Sequence, residues 1–388
     1  MRPAGEVRRG FLFKLKIGLV LERFDPARGG LEHWTHQFAV ELVSRGHEVH
    51  VVAFEFHPGA REDGIIPHEL EMPRSRIERG EAIAAHLPSL GLDVVHDMGI
   101  GWHADVIHPH GGSTAALWEH NLLRIPKWRQ IRFWREKRYR ELAEIERRQL
   151  FETKAVIVPV SRMVKQHFAL LHRLPAARMR VIHNGVDVKR FTPESRNSLR
   201  PPTRQELGLN EEVLFLMLAH NLLLKNAEGL IRAAARLKAT GGSLRVLIAG
   251  GRKPEQFVRL AEKLGITDVV SFLGLVDPIP YYAAADVFVH PTWYDPCSLV
   301  TLEAAACGLP VITSRYNGAS ELMVGGKDGL ILENPADVAT LASRMQELLK
   351  AETRAQMGAA ARTMANANTF EHQTTQFLEL YHEIVAAR

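Results

Sequence analysis

The sequence predicts an α/β protein built from two parallel-sheet domains, and three observations predict it. Short β-branched runs alternate with helical patterns along the whole chain. Its 388 residues exceed one ordinary core and suit two domains of roughly 150–200 residues each. A Pro-rich segment at 198–203 interrupts the alternation midway and reads as a linker. The expected division is 1–195, 196–370 and a closing helix, 371–388, that returns to the first domain.

Composition narrows the class. Hydrophobic residues make up 46% and charged residues 24%, which excludes disorder. The two cysteines, Cys297 and Cys307, have no metal-ligand spacing, so a disulfide framework is not expected and a reducing cytoplasm is the natural compartment. The apolar run at 11–21 follows Arg8 and Arg9 but is broken by Lys14 and Lys16, with no small-residue cleavage site after it. A signal peptide is not expected, and residues 1–14 read as a poorly ordered leader before the first strand. No uncharged apolar stretch of about 18 residues exists to span a bilayer.

In the first half, Lys16 to Glu22 reads as a buried strand, followed by a loop containing Gly29 and Gly30. A helix follows, with Leu31, Trp34, Phe38, Ala39, Leu42 and Val43 on one face. Further strands are expected at 48–54, 93–97, 104–108 and 155–160, with a long helix from about Lys127 to Glu152. In the second half, strands are expected at 213–219, 244–249, 269–273, 287–290 and 310–313. Open parallel sheets place their ligands at strand carboxyl ends, so the two domains are expected to face each other across a cleft.

The sharpest motif is Asp295-Pro-Cys-Ser-Leu-Val-Thr-Leu-Glu303, between a strand and a helix beginning near Ser298. Ser298, Leu299 and Val300 would present unpaired amides at a helix start, a natural phosphate site. Glu303, one turn further, could reach ribose hydroxyls. Simple helix capping by Asp295 and Ser298 is the alternative.

These residues resemble the family 4 retaining glycosyltransferases of the GT-B fold, whose signature is two acids separated by seven residues, then a small-residue helix and a Gly-x-Pro-Val strand. The resemblance implies that Asp295 contacts the donor sugar and Glu303 the nucleotide ribose. It extends over nearly the whole chain. Gly29-Gly30 looks like the family's diphosphate-facing loop. His183-Asn-Gly-Val-Asp187 resembles its interdomain segment. Lys225-Asn226 stands at its Lys-Gly, and Asn221 replaces an arginine. By that resemblance Lys225 neutralises the donor diphosphate, with Asn221, Arg252 or Lys253 sharing the role. His110 matches a histidine beside the transferring sugar. Gly318 and Glu321 match a supporting loop. The departures are Asp for Glu at 295 and Pro-Cys-Ser for the usual Gly-Phe-Gly.

His108 and His110, with His103 nearby, raise metal binding, but no carboxylate or cysteine completes a ligand set and no Asp-x-Asp occurs. Metal-independent chemistry without a cofactor is expected, with a nucleotide sugar as substrate.

The formal charge of +5 is local, with ten Arg and Lys against four Glu between Arg124 and Arg148. Arg124, Lys127, Trp128, Arg129, Arg132, Trp134 and Arg135 mix cations with aromatics. They read as a surface for an anionic membrane or a lipid-linked glycan acceptor, which implies a peripheral position on the inner face of the cytoplasmic membrane. A solvated helix with inward aromatics is the alternative. Nucleic acid is disfavoured, since no matching motif accompanies the patch.

The expected activity is retaining hexosyl transfer from UDP-glucose or a related donor, nearest to lipopolysaccharide core glucosyltransferases. A nucleotide-sugar epimerase, a phosphorylase of the same fold and a non-catalytic nucleotide-sugar-binding protein stay open. A dehydrogenase is disfavoured because no Gly-x-Gly-x-x-Gly follows the first strand.

Overall fold

The structure is a computed structural model that describes residues 13–61, 63–122, 136–251 and 254–388. Its contacts divide the chain into two compact units. The first comprises Met1–His108, Glu141–Ile157 and Thr374–Arg388, and the second Pro109–Arg140 and Val158–Gln373. The boundary expected at 195/196 falls inside the second of these units.

The first unit contains β1 (Lys16–Val20), β2 (Arg23–Phe24), β3 (Glu48–Ala53), β4 (Glu55–Phe56), β5 (Ile66–Glu69), β6 (Val94–Asp97), β7 (Val106–Ile107) and β8 (Val156–Ile157). Six of them form a parallel sheet in the order β5-β3-β1-β6-β7-β8, and β2 pairs with β4 beside it. The second unit contains β9 (Val213–Leu218), β10 (Leu244–Ala249), β11 (Val270–Gly274), β12 (Val287–His290), β13 (Val311–Ser314) and β14 (Gly329–Leu332). They form a second parallel sheet, β11-β10-β9-β12-β13-β14.

Counted within each sheet, both orders read 3-2-1-4-5-6, the doubly wound pattern. The central strands are largely apolar runs, as buried parallel strands are. All six residues of β9 are buried, as are four of five in β1. Helix Gly30–Ser44 buries Trp34, Phe38, Ala39 and Leu42 on one stripe, as its periodicity predicts. In the second unit, Leu230, Ala234 and Leu237 of helix Ala227–Ala239 pack on Phe215, Met217 and Val246 in one core.

The last helix, Phe370–Ala386, sends Phe377 against Trp34 and Phe38, and the Tyr381 hydroxyl meets His96 Nδ1 at 2.5 Å. Among the described residues no helix is long and apolar enough to cross a membrane.

The segment expected as a linker is helical. Helix Glu194–Glu206 carries Pro201 and Pro202 inside it. Packing outweighs the proline penalty. Arg200 donates to the carbonyls of Ala284 and Ala285, at the end of helix Pro278–Ala284, and to Asp286 at 2.6 Å. Arg204 reaches the second Asp286 oxygen at 3.2 Å. A carboxylate and several otherwise unpaired helix-end carbonyls are satisfied together, which holds the segment in place. The expected helix from Lys127 is described only from Lys137, as Lys137–Phe151.

Candidate active site

In a sheet of this order ligands sit where the winding reverses, between the first and fourth strands. In the second sheet these are β9 and β12, and the loops that leave their carboxyl ends carry Lys225 and Asp295. The loops are tied together by the N–H of Trp293, which donates to the Leu224 carbonyl at 3.0 Å.

Lys225 Nζ donates to Asp295 Oδ2 at 2.7 Å and to the Tyr294 carbonyl at 3.1 Å. His290, the last residue of β12, meets the same Asp295 oxygen through Nε2 at 3.1 Å. Burial by itself would raise the Asp295 carboxyl, but Lys225 and His290 outweigh it and hold the group below its ordinary range. Burial is also the main influence on His290 and pushes its pKa down, against the pull of Asp295. The result is an ionised carboxylate clamped to a cation.

The Lys225 turn is set by its neighbours. Asn221 Oδ1 accepts the Leu224 N–H at 3.1 Å, so its amide closes the turn with one end and keeps its NH₂ group for other partners. Asn226 adopts φ +60°, ψ +46° and caps helix Ala227–Ala239, its Oδ1 accepting from Gly229 N–H at 3.1 Å. Glycine and asparagine are the residues that take this left-handed conformation at least cost.

After Asp295 the chain enters helix Leu299–Ala306. Ser298 caps it, Oγ accepting from Thr301 N–H at 3.3 Å. The expectation that Ser298 presents an unpaired amide is corrected: its N–H donates to Asn317 Oδ1 at 3.1 Å. Helical geometry leaves the amides of Leu299 and Val300 at the first two positions for a ligand. Asn317, fully buried, also donates to Thr301 Oγ1 at 3.1 Å and Thr313 Oγ1 at 2.9 Å, fixing how the helix start points.

Glu303 sits one turn on, half-buried, and accepts from the Tyr282 hydroxyl at 2.8 Å. Burial pushes its carboxyl up to about 7, against the Tyr282 hydrogen bond and Arg190.

His110 belongs to the same unit, in the loop after β7. Burial drives its imidazole down to about 3, so the ring is neutral and acts as a hydrogen-bonding group, not a cation. Gly112, at φ +74°, lets this loop approach the Asp295 loop. A Cβ there would overlap the Tyr294 hydroxyl and come within 3.1 Å of Pro296.

Supporting residues lock the Asp295 loop from behind. Asn184 Nδ2 donates to the Cys297 carbonyl at 2.8 Å. Glu321 accepts from the amides of Arg162 and Met163, at 2.7 and 2.6 Å, and meets His183 Nε2 at 2.9 Å. It therefore caps helix Arg162–His172. Both cysteines are buried free thiols.

The structure thus brings Lys225, Asp295, Ser298, Leu299, Val300, Glu303, Asn221 and the His110 loop onto one unit. Gly29 and Gly30 belong to the other, at the start of helix Gly30–Ser44. Gly29 is extended, with φ −175°, so backbone conformation does not demand glycine there. Arg124, Lys127, Trp128, Arg129, Arg132, Trp134 and Arg135 lie outside the described residues, as do Arg252 and Lys253. Sequence reasoning missed His290 and Tyr282, and the locking role of Asn317. The available signal was position, since His290 ends a strand five residues before Asp295.

Two family models match successive parts of the chain. Residues 28–190 fit the model described as Glycosyltransferase Family 4, and residues 200–364 fit Glycosyl transferases group 1. The chain belongs to the group 1 glycosyltransferases. A D-inositol 3-phosphate glycosyltransferase of Saccharomonospora viridis is 29% identical, over 92% of this chain and 90% of that one. Another, from Mycolicibacterium smegmatis, is 34% identical over 50% of this chain and 45% of its own, so the match spans about half of that relative.

Among solved structures, WaaG, described as a glycosyltransferase involved in lipopolysaccharide biosynthesis, superposes with a TM-score of 0.80 at 21% identity. That match covers 94% of this chain and 99% of WaaG. Anabaena Alr3699/HepE, solved with UDP and glucose, gives 0.72 at 20% identity, over 94% and 99%. This glycosyltransferase therefore has the GT-B fold.

Proposed function

We propose that this glycosyltransferase moves a hexose from a nucleotide diphosphate sugar to a hydroxyl of an anionic glycan or lipid-linked acceptor, retaining the anomeric configuration. The observation that carries the reading is the Lys225–Asp295 pair at 2.7 Å beside the first amides of helix Leu299–Ala306. A cation and helix-start amides together suit the charge that develops on a departing diphosphate. An arriving diphosphate competes for Lys225 and frees Asp295 to accept from sugar hydroxyls. Glu303 takes the ribose hydroxyls, and neutral His110 hydrogen-bonds the transferring sugar.

The bond from the anomeric carbon to the diphosphate oxygen breaks, and the bond to the acceptor oxygen forms on the same face. The acceptor proton passes to the leaving phosphate. Asp295, engaged by Lys225 and His290, orients the sugar and is not the nucleophile.

UDP-glucose is the first donor to test, given the ligands of the HepE neighbour. A heptose-bearing lipid core is the first acceptor, given the WaaG neighbour and the basic segment around Arg124–Arg148. Such an acceptor implies work at the cytoplasmic face of a membrane. An inositol phosphate is the second reading, favoured by the curated relatives.

A thermal-shift donor screen followed by turnover with both acceptors tests the proposal. A donor at a hundred times its Kd should stabilise the fold by about 2.7 kcal/mol. The product's anomeric proton coupling reports retention or inversion. Donor conversion without acceptor would indicate an epimerase, and dependence on phosphate a phosphorylase. Donor left unchanged overnight despite measurable binding would reject catalysis.

A further inference from the structure

We propose that His36, His57 and Asp63, in the first unit, form a binding site for one divalent transition-metal ion, with zinc the reference ion. His36 lies on helix Gly30–Ser44, and the loop after β4 carries the other two. Asp63 Oδ2 is 2.8 Å from His36 Nε2 and 3.5 Å from His57 Nε2. The three ligand atoms all lie within 4.8 Å of one another, and among the described residues no other such trio converges in this way. Ligand atoms on a tetrahedral zinc are separated by about 3.3–3.5 Å, so small side-chain adjustments suffice.

A second observation points the same way. His57 Nε2 is buried and makes no hydrogen bond, an unsatisfied polar atom aimed into the cluster. The Phe24 ring packs against both imidazoles, at 5.4 and 5.7 Å between centroids, and walls one side of the site. Its carbonyl accepts the His57 N–H at 2.9 Å, which pins the loop. Two imidazoles and a carboxylate suit borderline cations such as zinc better than calcium or magnesium, and leave a fourth position for water.

Ligation makes one structural demand. Gly59 N–H now donates to His57 Nδ1 at 3.2 Å, so the ring proton sits on Nε2. Binding through Nε2 moves that proton to Nδ1 and breaks the Gly59 contact. A bound ion would clip His57 and Asp63 to the helix that follows Gly29, independently of sugar transfer.

The test titrates ZnCl₂ into the full chain, made without a histidine tag, by calorimetry, with cobalt(II) absorption as a second probe. One saturable equivalent is expected, with a higher Tm and a shifted Gly59 amide resonance. His36→Gln and His57→Gln should each weaken binding by more than the roughly 10–100-fold that loss of an outer-shell partner costs. Asp63→Asn serves the same purpose should a histidine variant fail to fold. The chain has 19 histidines, so scattered adsorption is the competing outcome. His50→Gln, which alters the stacked His50–His68 pair elsewhere in the unit, should leave the affinity unchanged. No saturable binding, or equal binding by the wild type and the His36 and His57 variants, overturns the proposal.

Discussion

The two sheets share a strand order and use their strand ends differently. In the first, the carboxylate at the end of β6 serves its own loop. Asp97 accepts the amides of Gly99, Ile100 and Gly101 at 2.6, 2.7 and 2.9 Å. In the second, the acid after β12 is held by a cation from the loop after β9, and the adjoining helix leaves its first amides open. Asp97 is buried and Asp295 half-buried, and both are multiply bonded, yet one closes backbone and the other holds a lysine. Topology marks where a ligand can sit, and side-chain chemistry decides which of two equivalent places is equipped for it.

That contrast is easiest to break at Lys225. Lys225→Ala should lower kcat/KM by ~10³-fold, the scale for removing a group that stabilises developing charge. Retention of more than a tenth of the activity in steady-state assays would show that the diphosphate is held elsewhere. Asp97→Asn should do the reverse. Its amide NH₂ faces a backbone N–H, which costs about 1–3 kcal/mol of stability in urea unfolding. The kcat of the folded fraction should stay at the wild-type value.

What the sequence disclosed follows the same division between pattern and partnership. β9 and β12 were legible because a strand buried on both faces must be an unbroken apolar run. Asp295, Glu303 and Lys225 stood out as candidates from spacing within motifs. The two-residue strands β7 and β8 were expected to be longer, since apolar residues flanking a short ladder look the same as those within it. Partners distant in sequence were not legible. Asn317 takes the Ser298 amide from 19 residues away, and nothing local to Ser298 announces it. The helix at Pro201 and Pro202 depends on Arg200 meeting carbonyls more than eighty residues on. Propensity is a local quantity, and these contacts are not.

A pH series sharpens the comparison at Glu303. Its carboxyl lies at about 7 in the folded chain, raised by burial from an ordinary 4.5. The stability this group contributes is therefore fully present below its unfolded value and is lost as pH rises through about 7. In the proposed function donor binding runs the other way, with the ionised form accepting from ribose. Affinity for the nucleotide sugar should fall by as much as about tenfold per pH unit below 7, and Glu303→Gln should flatten that slope. A slope unchanged in the variant would assign the titration to another group.

The smallest effect is expected at Asn226, where the site's geometry depends on backbone conformation. Its φ of +60° is one that most side chains resist. Its amide adds two hydrogen bonds, accepting from Gly229 N–H and donating to the Pro335 carbonyl at 2.7 Å. Asn226→Ala loses the cap and meets the left-handed penalty, about 2 kcal/mol together. Asn226→Gly loses the cap but not the conformation, so it should cost under ~1 kcal/mol and leave Lys225 in place. Near-wild-type turnover in the glycine variant, beside a marked loss of Tm in the alanine variant, would show that the turn presents Lys225 through its backbone. Equal losses in both would mean that the amide itself, through Pro335, holds the lysine loop.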